Sequence, residues 1–185
     1  MNEYVGVTGT PGTGKKTLAP MIASMMGVPC VSLYEEAVAS GLIRRDETDA
    51  EVDTVALGKY VMKHNRGPAL VYGHLLPYVL GNRSIERAIV LRCEPMTLKT
   101  RLKIRGYSRE KIRENVEAEL IGVLSSASLK TYGQSRAVDL DTTKNAVAGA
   151  SLRAFEYLKR GTRPGPRIDW MPRYSSASRL RTLLS

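Results

Sequence analysis

The sequence is poor in cysteine, in large aromatic side chains and in long apolar runs. It has two cysteines, one Phe and one Trp among 185 residues. Cys30 and Cys93 each lie in a short apolar run, which favours two small buried side chains over a disulfide scaffold. No apolar run approaches the roughly 20 residues of a membrane helix, and Glu3 stands where a signal peptide needs basic residues. We therefore expect a cytoplasmic protein without a membrane partner.

Acidic residues are scarce relative to basic ones. Eighteen acidic residues against 28 basic ones give a net charge of +10, in a chain whose length fits one domain. The charge is uneven, because six arginines and only one acid, Asp169, follow residue 159, whereas residues 35–53 hold seven acids and two arginines. The basic excess predicts an anionic partner such as a nucleotide, an RNA or the ribosome.

Apolar periodicity predicts an α/β fold. Short apolar or β-branched runs bounded by turn residues predict five buried strands, at residues 4–8, 28–33, 69–73, 87–93 and 137–141. Helical patterns fill the gaps between them, most clearly at residues 109–129, where Ser108 is placed to cap the helix, and also at 53–64 and 144–159. Strands that alternate with helices predict a parallel sheet covered on both faces.

The core is expected to end near residue 160. Residues 160–167 contain two prolines and two glycines, which end regular structure. We therefore expect a core at residues 1–160 and a basic tail at residues 161–185, partly docked through Trp170. Residues 174–185 are expected to be mobile, with a weak helical pattern at their end.

A glycine-rich segment, Gly9-Thr10-Pro11-Gly12-Thr13-Gly14-Lys15, follows the first predicted strand and precedes a helix. Glycines let backbone N–H groups turn toward a phosphate, and the positive end of the helix dipole faces the same anion. Lys15 is expected to reach the β- and γ-phosphates. The next residue is usually Ser or Thr, whose hydroxyl contacts Mg²⁺, but here it is Lys16. The segment predicts a phosphate-binding P-loop; the alternative is a glycine-rich turn without a ligand.

This loop and four further motifs resemble the adenylate kinase isoenzyme 6 family. The order Gly-Thr-Pro-Gly-Thr-Gly-Lys-Lys-Thr is similar to the adenylate kinase variant of the loop, in which threonine comes one place later. The resemblance spans about residues 4–172. The other matching motifs are Val71-Tyr72-Gly73-His74-Leu75, Leu91-Arg92, Arg101-Leu102-x-x-Arg105-Gly106-Tyr107-Ser108 and Ile168-Asp169-Trp170.

The resemblance implies a P-loop NTPase fold and a chemistry. The fold would have a five-stranded parallel sheet flanked by helices, an insert that binds the nucleoside monophosphate (NMP) at about residues 32–55, and a short lid at about residues 104–114. The implied chemistry is ATP-dependent phosphorylation of AMP and other NMPs, together with an ATPase activity. It also implies a role in maturing the small ribosomal subunit and its 16S rRNA, with a platform ribosomal protein as a partner.

Carried onto this chain, the resemblance assigns catalysis to Lys15, His74 and Arg105. It assigns the ATP contacts to Gly12, Gly14, Lys15, Lys16, Thr17, Arg105 and Lys144. Arg44 and Arg45 are assigned to the acceptor phosphate, because guanidinium forks match phosphate oxygens. The alternative is two solvated surface arginines, since the surrounding acids suit a basic ribosomal partner better than an anion.

The lid assignment has a physical basis in the spacing of two arginines. Arg101 and Arg105 lie four residues apart, on one helical face, and Gly106 follows as a helix breaker. A hinged basic lid would neutralise the transferring phosphoryl group and exclude water. An ordinary charged helix end is the alternative.

Two positions depart from the family pattern near the expected metal. Family members usually carry an acid two residues before His74, and this chain has Tyr72 there, while Lys16 adds a positive charge nearby. We therefore expect Mg²⁺ to accompany ATP at a weakened site, with no metal ligand assigned to the protein. His74 either positions water or a loop, or is a structural residue at a strand end.

Three functions remain open from the sequence. The first is an ATP-dependent NMP kinase with ATPase activity and a role in ribosomal subunit maturation. The second is a nucleotide-binding ribosome assembly factor with weak or no kinase activity, and the third is a P-loop kinase of another small hydroxyl substrate, such as a sugar or a shikimate-like acid. The arginine-rich tail either contacts phosphates or only keeps the protein soluble.

Overall fold

The computed structural model describes residues 4–43, 51–144, 147–163 and 165–184. Five strands form one sheet in the order β2-β3-β1-β4-β5, and all four strand pairs are parallel. Strands β1 to β5 are Tyr4–Gly9, Cys30–Ser32, Ala69–Tyr72, Ile85–Arg92 and Ala137–Asp141. The predicted α/β fold with a five-stranded parallel sheet is confirmed, and each predicted strand is present with small shifts of its ends.

Nine α-helices and one 3₁₀ turn, Met171–Tyr174, make up the rest of the regular structure in the part of the chain described. Helices α1 to α9 are Lys15–Met26, Leu33–Ala39, Thr54–His64, Leu76–Val79, Pro95–Ile104, Arg109–Leu120, Val123–Tyr132, Val147–Arg160 and Ala177–Leu184. Among these residues, we find no helix with the length and apolar character needed to cross a membrane.

Helices cover both faces of the sheet because strand side chains alternate between them. On one face, Val5 and Val7 of β1 pack with α1 and α8. On the other face, Tyr4 of β1 packs with α2, α3, α4 and α7, and the hydroxyl of Tyr132 in α7 donates to Leu76 O and Leu80 O. Both faces are buried, which explains why the strands are continuous apolar runs in the sequence.

A third apolar cluster joins α5 and α6 to residues 168–184, which we call the C-terminal segment. Trp170 is 3% exposed and Leu183 is 1% exposed within this cluster. The ammonium of Lys99 in α5 also donates to Thr182 O at 3.0 Å. The prediction that residues 174–185 are mobile is therefore wrong for residues 174–184, because Tyr174 and Leu183 are buried and α9 packs on α5 and α6.

The single helix predicted at residues 109–129 is two helices, α6 and α7. Gly122 separates them in the left-handed conformation, with φ of 68°. A Cβ at Gly122 would lie 3.4 Å from the guanidinium nitrogens of Arg92, and Arg92 Nη2 donates to Glu119 O at 2.8 Å. Arg92 thus binds the carbonyl of Glu119, which an unbroken helix would use for its own hydrogen bonds. The apolar periodicity of residues 109–129 does not indicate this contact with Arg92.

The two cysteines differ in environment, and both are free thiols. Cys93 is buried, as predicted. Cys30 is exposed, so the prediction of a buried side chain is wrong there. The reason is that Cys30 begins β2, which is an edge strand of the sheet.

The largest fully buried side chain among the described residues is that of Arg92, at the end of β4. Its side chain is 2% exposed, with Nε 2.8 Å from Glu119 Oε1 and Nη1 3.3 Å from Asp139 Oδ2. Nη1 also donates to Ile168 O at 2.9 Å, while Asp139 accepts from Ser125 Oγ and from the amide of Ile168. One guanidinium therefore joins β4, β5, α6 and the C-terminal segment.

We expect Arg92→Leu to destabilise the protein by about 3–5 kcal/mol, because it leaves two buried carboxylates without their cation. Urea denaturation would measure this as a fall in the free energy of unfolding. Arg160→Leu is the matched control, since Arg160 pairs with Glu156 at the surface, at 3.3 Å, and its loss should change stability little. Equal effects of the two substitutions would contradict the structural role of Arg92.

Candidate nucleotide-binding site

The glycine-rich segment forms the loop between β1, which ends at Gly9, and α1, which begins at Lys15. Gly9 has φ of 141°, and a Cβ there would lie 2.5 Å from Leu91 O. Gly12 has φ of 92°, and its Cβ would lie 2.7 Å from Leu98 Cδ1. Both positions therefore need glycine, for conformation and for space.

Short hydrogen bonds fix the loop conformation. The amide and the hydroxyl of Thr13 both donate to Thr10 O, at 3.2 and 2.8 Å. Thr142, just after β5, donates its hydroxyl to Thr13 O at 2.8 Å. None of the described residues caps the start of α1 with a side chain, and its first turn has no acid. The N–H groups at this helix start are available to an anion.

Lys15 is half-buried at the mouth of the loop. Its ammonium donates to Gly9 O and to Thr10 O, the latter at 3.0 Å. Burial lowers the pKa of Lys15 to about 7; the charge of Glu119 acts against this shift, and those of Arg105 and Lys16 add to it. A phosphate bound at the loop would place a negative charge next to the Lys15 ammonium and so favour its charged form.

A cleft of about 270 Å³ opens beside the loop. Five of the predicted ATP contacts line it, namely Gly12, Gly14, Thr17, Arg105 and Lys144. Its apolar side consists of Leu18, Ile104, Val147 and Ala150. Ile104 is 81% exposed, at the end of α5, so it presents a bare apolar surface over the cleft. The cleft combines phosphate donors with an apolar wall, which is the composition of a nucleotide pocket.

Lys16 lies outside the lining of this cleft. Its side chain is exposed, and its ammonium lies 5.7 Å from the centroid of the Tyr34 ring in α2. Lys16 therefore lies toward the predicted NMP insert, although its charge still acts on Lys15.

The two arginines of the predicted lid, Arg101 and Arg105, have different surroundings. Arg101 Nη2 donates to Thr142 O at 2.8 Å and to Thr143 O at 3.1 Å, so Arg101 holds the loop after β5. Arg105 is exposed and follows the end of α5, and its guanidinium makes no hydrogen bond or ion pair among the residues described. Gly106, with φ of 74°, follows it. Arg105 is the lid arginine that is free to turn toward a ligand.

His74 and Tyr72 lie at the end of β3. His74 keeps part of its surface exposed to solvent, while the protein around its ring removes some of the water from the imidazole. This desolvation, together with the charge of Lys15, lowers the pKa of His74 to about 4, so the imidazole is neutral at physiological pH. Tyr72 is half-buried and packs against the cluster on the α1 face of the sheet.

The described residues cover less of the predicted acceptor and metal sites than of the predicted ATP site. Arg44 and Arg45 lie outside the described residues. Among the residues that are described, no group of three or more His, Cys, Asp or Glu side chains is placed to hold a metal ion. Mg²⁺ is usually held by one or two protein ligands, several waters and the phosphates of a substrate, and Thr17, which lines the cleft, is a candidate for such a ligand.

Glu119 was not predicted as a site residue. It is 1% exposed in α6, and its Oε2 accepts from the hydroxyl of Thr10 in the phosphate loop at 2.6 Å. The sequence does contain a signal, because Glu119 falls on the apolar face of α6 beside Val116 and Leu120. An acid on a buried face needs partners, but periodicity does not identify them.

Comparison with known proteins places this site in a family. The sequence model of the "AAA domain" family matches residues 5–122. A protein of Thermococcus onnurineus named "Putative adenylate kinase" is 34% identical over 172 residues, which cover 92% of each chain. A protein of the same name from Pyrococcus furiosus is 39% identical over 145 residues, 75% of this chain and 74% of its own. The chain belongs to this adenylate kinase-like family of P-loop proteins. The resemblance drawn from its motifs is thereby confirmed.

Solved structures show the same fold at low sequence identity. Shikimate kinase from Acinetobacter baumannii in complex with shikimate has a TM-score of 0.64 and 12% identity, covering 88% of this chain and 96% of its own. A sugar kinase from Janibacter has a TM-score of 0.60 and 12% identity, covering 89% of this chain and 100% of its own. These similarities support the P-loop kinase fold and nothing finer.

We expect nucleotide affinity to fall as the pH rises above 7. Lys15 has a pKa of about 7 in the free protein, and bound phosphates would raise it, so binding takes up a proton. The dissociation constant for ADP should therefore rise by up to about tenfold per pH unit above 7. Calorimetric titration at several pH values would measure this rise. Lys15→Arg is the control, because arginine stays charged throughout; an equal pH dependence in both proteins would contradict the assignment to Lys15.

Proposed function

We propose that the protein is an ATP-dependent nucleoside monophosphate kinase with ATPase activity. The observation that carries this proposal is the cleft that brings the phosphate loop, Arg105 and Lys144 together. The similarity to relatives named "Putative adenylate kinase" supports the same class of enzyme.

The cleft has a polar side that would bind the phosphates of ATP and an apolar side that would bind its base. Phosphates would bind the loop amides and the start of α1, where N–H groups and the helix dipole favour an anion. The base would lie on the apolar side, between Leu18, Ile104 and Val147, with Lys144 nearby. A flat, weakly polar ring gains most from that surface, while charged phosphates gain most from the loop.

Phosphoryl transfer needs positive charge around the moving group more than it needs covalent chemistry. Lys15 lies on the loop, and Arg105 lies across the cleft without a competing partner among the described residues. In this proposal Lys15 neutralises the β- and γ-phosphates, and Arg105 turns inward to neutralise the transferring group and exclude water. His74, neutral and exposed beside Lys15, would position the water or the loop.

The acceptor in this proposal is an NMP, with AMP preferred by family resemblance. Arg44 and Arg45 would bind its phosphate. The ammonium of Lys16 lies 5.7 Å from the centroid of the Tyr34 ring, and Tyr34 belongs to the insert that would bind the NMP, so this cation–π contact would hold the Lys16 charge near the acceptor.

A nucleotide-dependent assembly factor with little kinase activity is the second candidate. The observation in its favour is Tyr72, which packs into the apolar cluster at the end of β3 where the family has an acid. Without that carboxylate, the metal-side charge that orients the reacting groups is reduced, whereas the loop and Lys15 retain their affinity for phosphate. A kinase of another small hydroxyl substrate remains the third candidate, and no feature of the described residues favours it.

We also propose, from family resemblance, that the protein assists small ribosomal subunit maturation, with 16S rRNA or a platform ribosomal protein as its partner. The arginines at the end of the chain support a polyanionic partner. Six of them are exposed, namely Arg160, Arg163, Arg167, Arg173, Arg179 and Arg181. The C-terminal segment buries Trp170, Tyr174 and Leu183 and exposes three of these arginines, Arg173, Arg179 and Arg181, so it offers a basic surface held by its apolar contacts.

We expect ATP with AMP to yield ADP in a coupled assay, and Lys15→Ala to lower kcat by about 100-fold to 1000-fold through lost charge stabilisation. The assay would compare AMP, CMP and no acceptor, with and without Mg²⁺. Lys103→Ala, on the exposed side of α5, is the control and should be unaffected. ATP hydrolysis at a rate that AMP does not change, without conversion of AMP to ADP, would favour the assembly factor, and ATP binding without either activity would refute the kinase.

We expect Arg179→Gln with Arg181→Gln to reduce the salt dependence of 16S rRNA binding. Each lost phosphate contact should lower the slope of log affinity against log salt by about 0.7 on single-stranded RNA. Both residues are exposed on α9, so the buried contacts of Leu183 are retained. Arg83→Gln with Arg153→Gln removes the same charge from other exposed positions. Equal slopes for the two double variants would exclude the C-terminal segment as a specific contact.

A further inference from the structure

Glu119 is a buried carboxylate on which several separate parts of the chain meet. Its Oε1 accepts from Arg92 Nε at 2.8 Å, from the amide of Cys93 at 3.0 Å and from Trp170 Nε1 at 3.2 Å. Its Oε2 accepts from Thr10 Oγ1 at 2.6 Å. Glu119 therefore connects the phosphate loop directly to the C-terminal segment, through one side chain.

Thr10 is the residue on which the loop conformation depends. Its carbonyl accepts from the ammonium of Lys15, from the amide of Thr13 and from the hydroxyl of Thr13. The hydrogen bond from the Thr10 hydroxyl to Glu119 fixes the Thr10 side chain on the buried side of the loop. The negative charge of Glu119 also favours the charged form of Lys15, against the effect of burial.

The C-terminal segment supports the loop through packing as well. Trp170 belongs to the same apolar cluster as Leu98 and Leu102. Those two leucines lie against Gly12, since a Cβ at Gly12 would come within 2.7 Å of Leu98 Cδ1 and 3.0 Å of Leu102 Cδ2. Undocking of Trp170 would remove one donor from Glu119 and loosen the leucines that back the loop.

We propose that Glu119 is a positioning residue of the phosphate loop, and that Trp170 of the C-terminal segment holds Glu119 in place. The segment is then part of the nucleotide site although it does not line the cleft. Because coupling between two sites is reciprocal, a ligand that orders the loop must also stabilise the docked segment. Only the identity of that ligand, a nucleotide, rests on the proposed function.

The test is amide hydrogen exchange by NMR in the ligand-free protein. Trp170→Phe keeps an aromatic side chain and removes the donor to Glu119. Tyr174→Phe is the matched control, because Tyr174 donates to Glu94 and has no hydrogen bond to Glu119 among the residues described. The reporter is the Thr13 amide, which donates to Thr10 O. Trp170→Phe should speed its exchange about tenfold, as expected for one lost hydrogen bond to a charged group, and Tyr174→Phe should not.

Equal exchange of the Thr13 amide in the two variants would overturn the proposal. If Trp170→Phe does not fold, Thr10→Val tests the same connection from the loop. That variant should speed exchange of the Ile168 and Arg173 amides, which are bonded to Asp139 and to Trp170 O, and unchanged exchange there would equally overturn the proposal.

An ADP titration of the wild type separates this inference from the proposed function. ADP should slow exchange in residues 168–174, and Trp170→Phe should weaken ADP binding several-fold more than Tyr174→Phe does. Failure of the wild type to bind ADP would refute the nucleotide function, while the ligand-free exchange would still decide the role of Glu119. Binding of ADP with no slowing in residues 168–174 would refute the coupling alone.

Discussion

The guanidinium of Arg92 is enclosed by protein, and the rest of the structure is arranged to supply its acceptors. Glu119, Asp139 and the carbonyl of Ile168 surround it, from α6, β5 and the C-terminal segment. A charge removed from water is tolerated only when it is paired and hydrogen-bonded. The position of Arg92 at the end of β4 therefore requires three other parts of the chain to meet there. They meet beside the C-terminal ends of the strands, where the phosphate loop also lies.

The phosphate loop belongs to the same hydrogen-bond network. Thr142 donates its hydroxyl to Arg92 O and to Thr13 O, while Thr10 donates to Glu119. The loop is thus held by buried groups of the core on its inner side, and its outer side is open to a ligand. A binding loop that is ordered before its ligand arrives loses less conformational entropy on binding.

The two sides of this site carry different groups. The groups that attract phosphate are cationic or backbone donors: Arg105 lines the cleft, and Lys15, at the start of α1, carries its ammonium against the carbonyls of the loop. The opposite side has Tyr72 and Lys16, and the described residues provide no acidic cluster there. The loop therefore provides the donors and the positive charge that a phosphate requires, while the proposal of weak turnover rests on the other side, at Tyr72 and Lys16.

The sequence by itself determined the five strands, the α/β class and the phosphate loop, because each is encoded by neighbouring residues through apolar periodicity and glycine spacing. Only the tertiary structure decided that the helix pattern breaks at Gly122, that residues 174–184 pack on α5 and α6, and that Glu119 contacts the loop. These features depend on partners far apart in the chain, since Arg92 is 27 residues from Glu119 and 76 from Ile168. Local patterns report which residues are buried, but the pairing of buried charges is fixed only when distant segments come together.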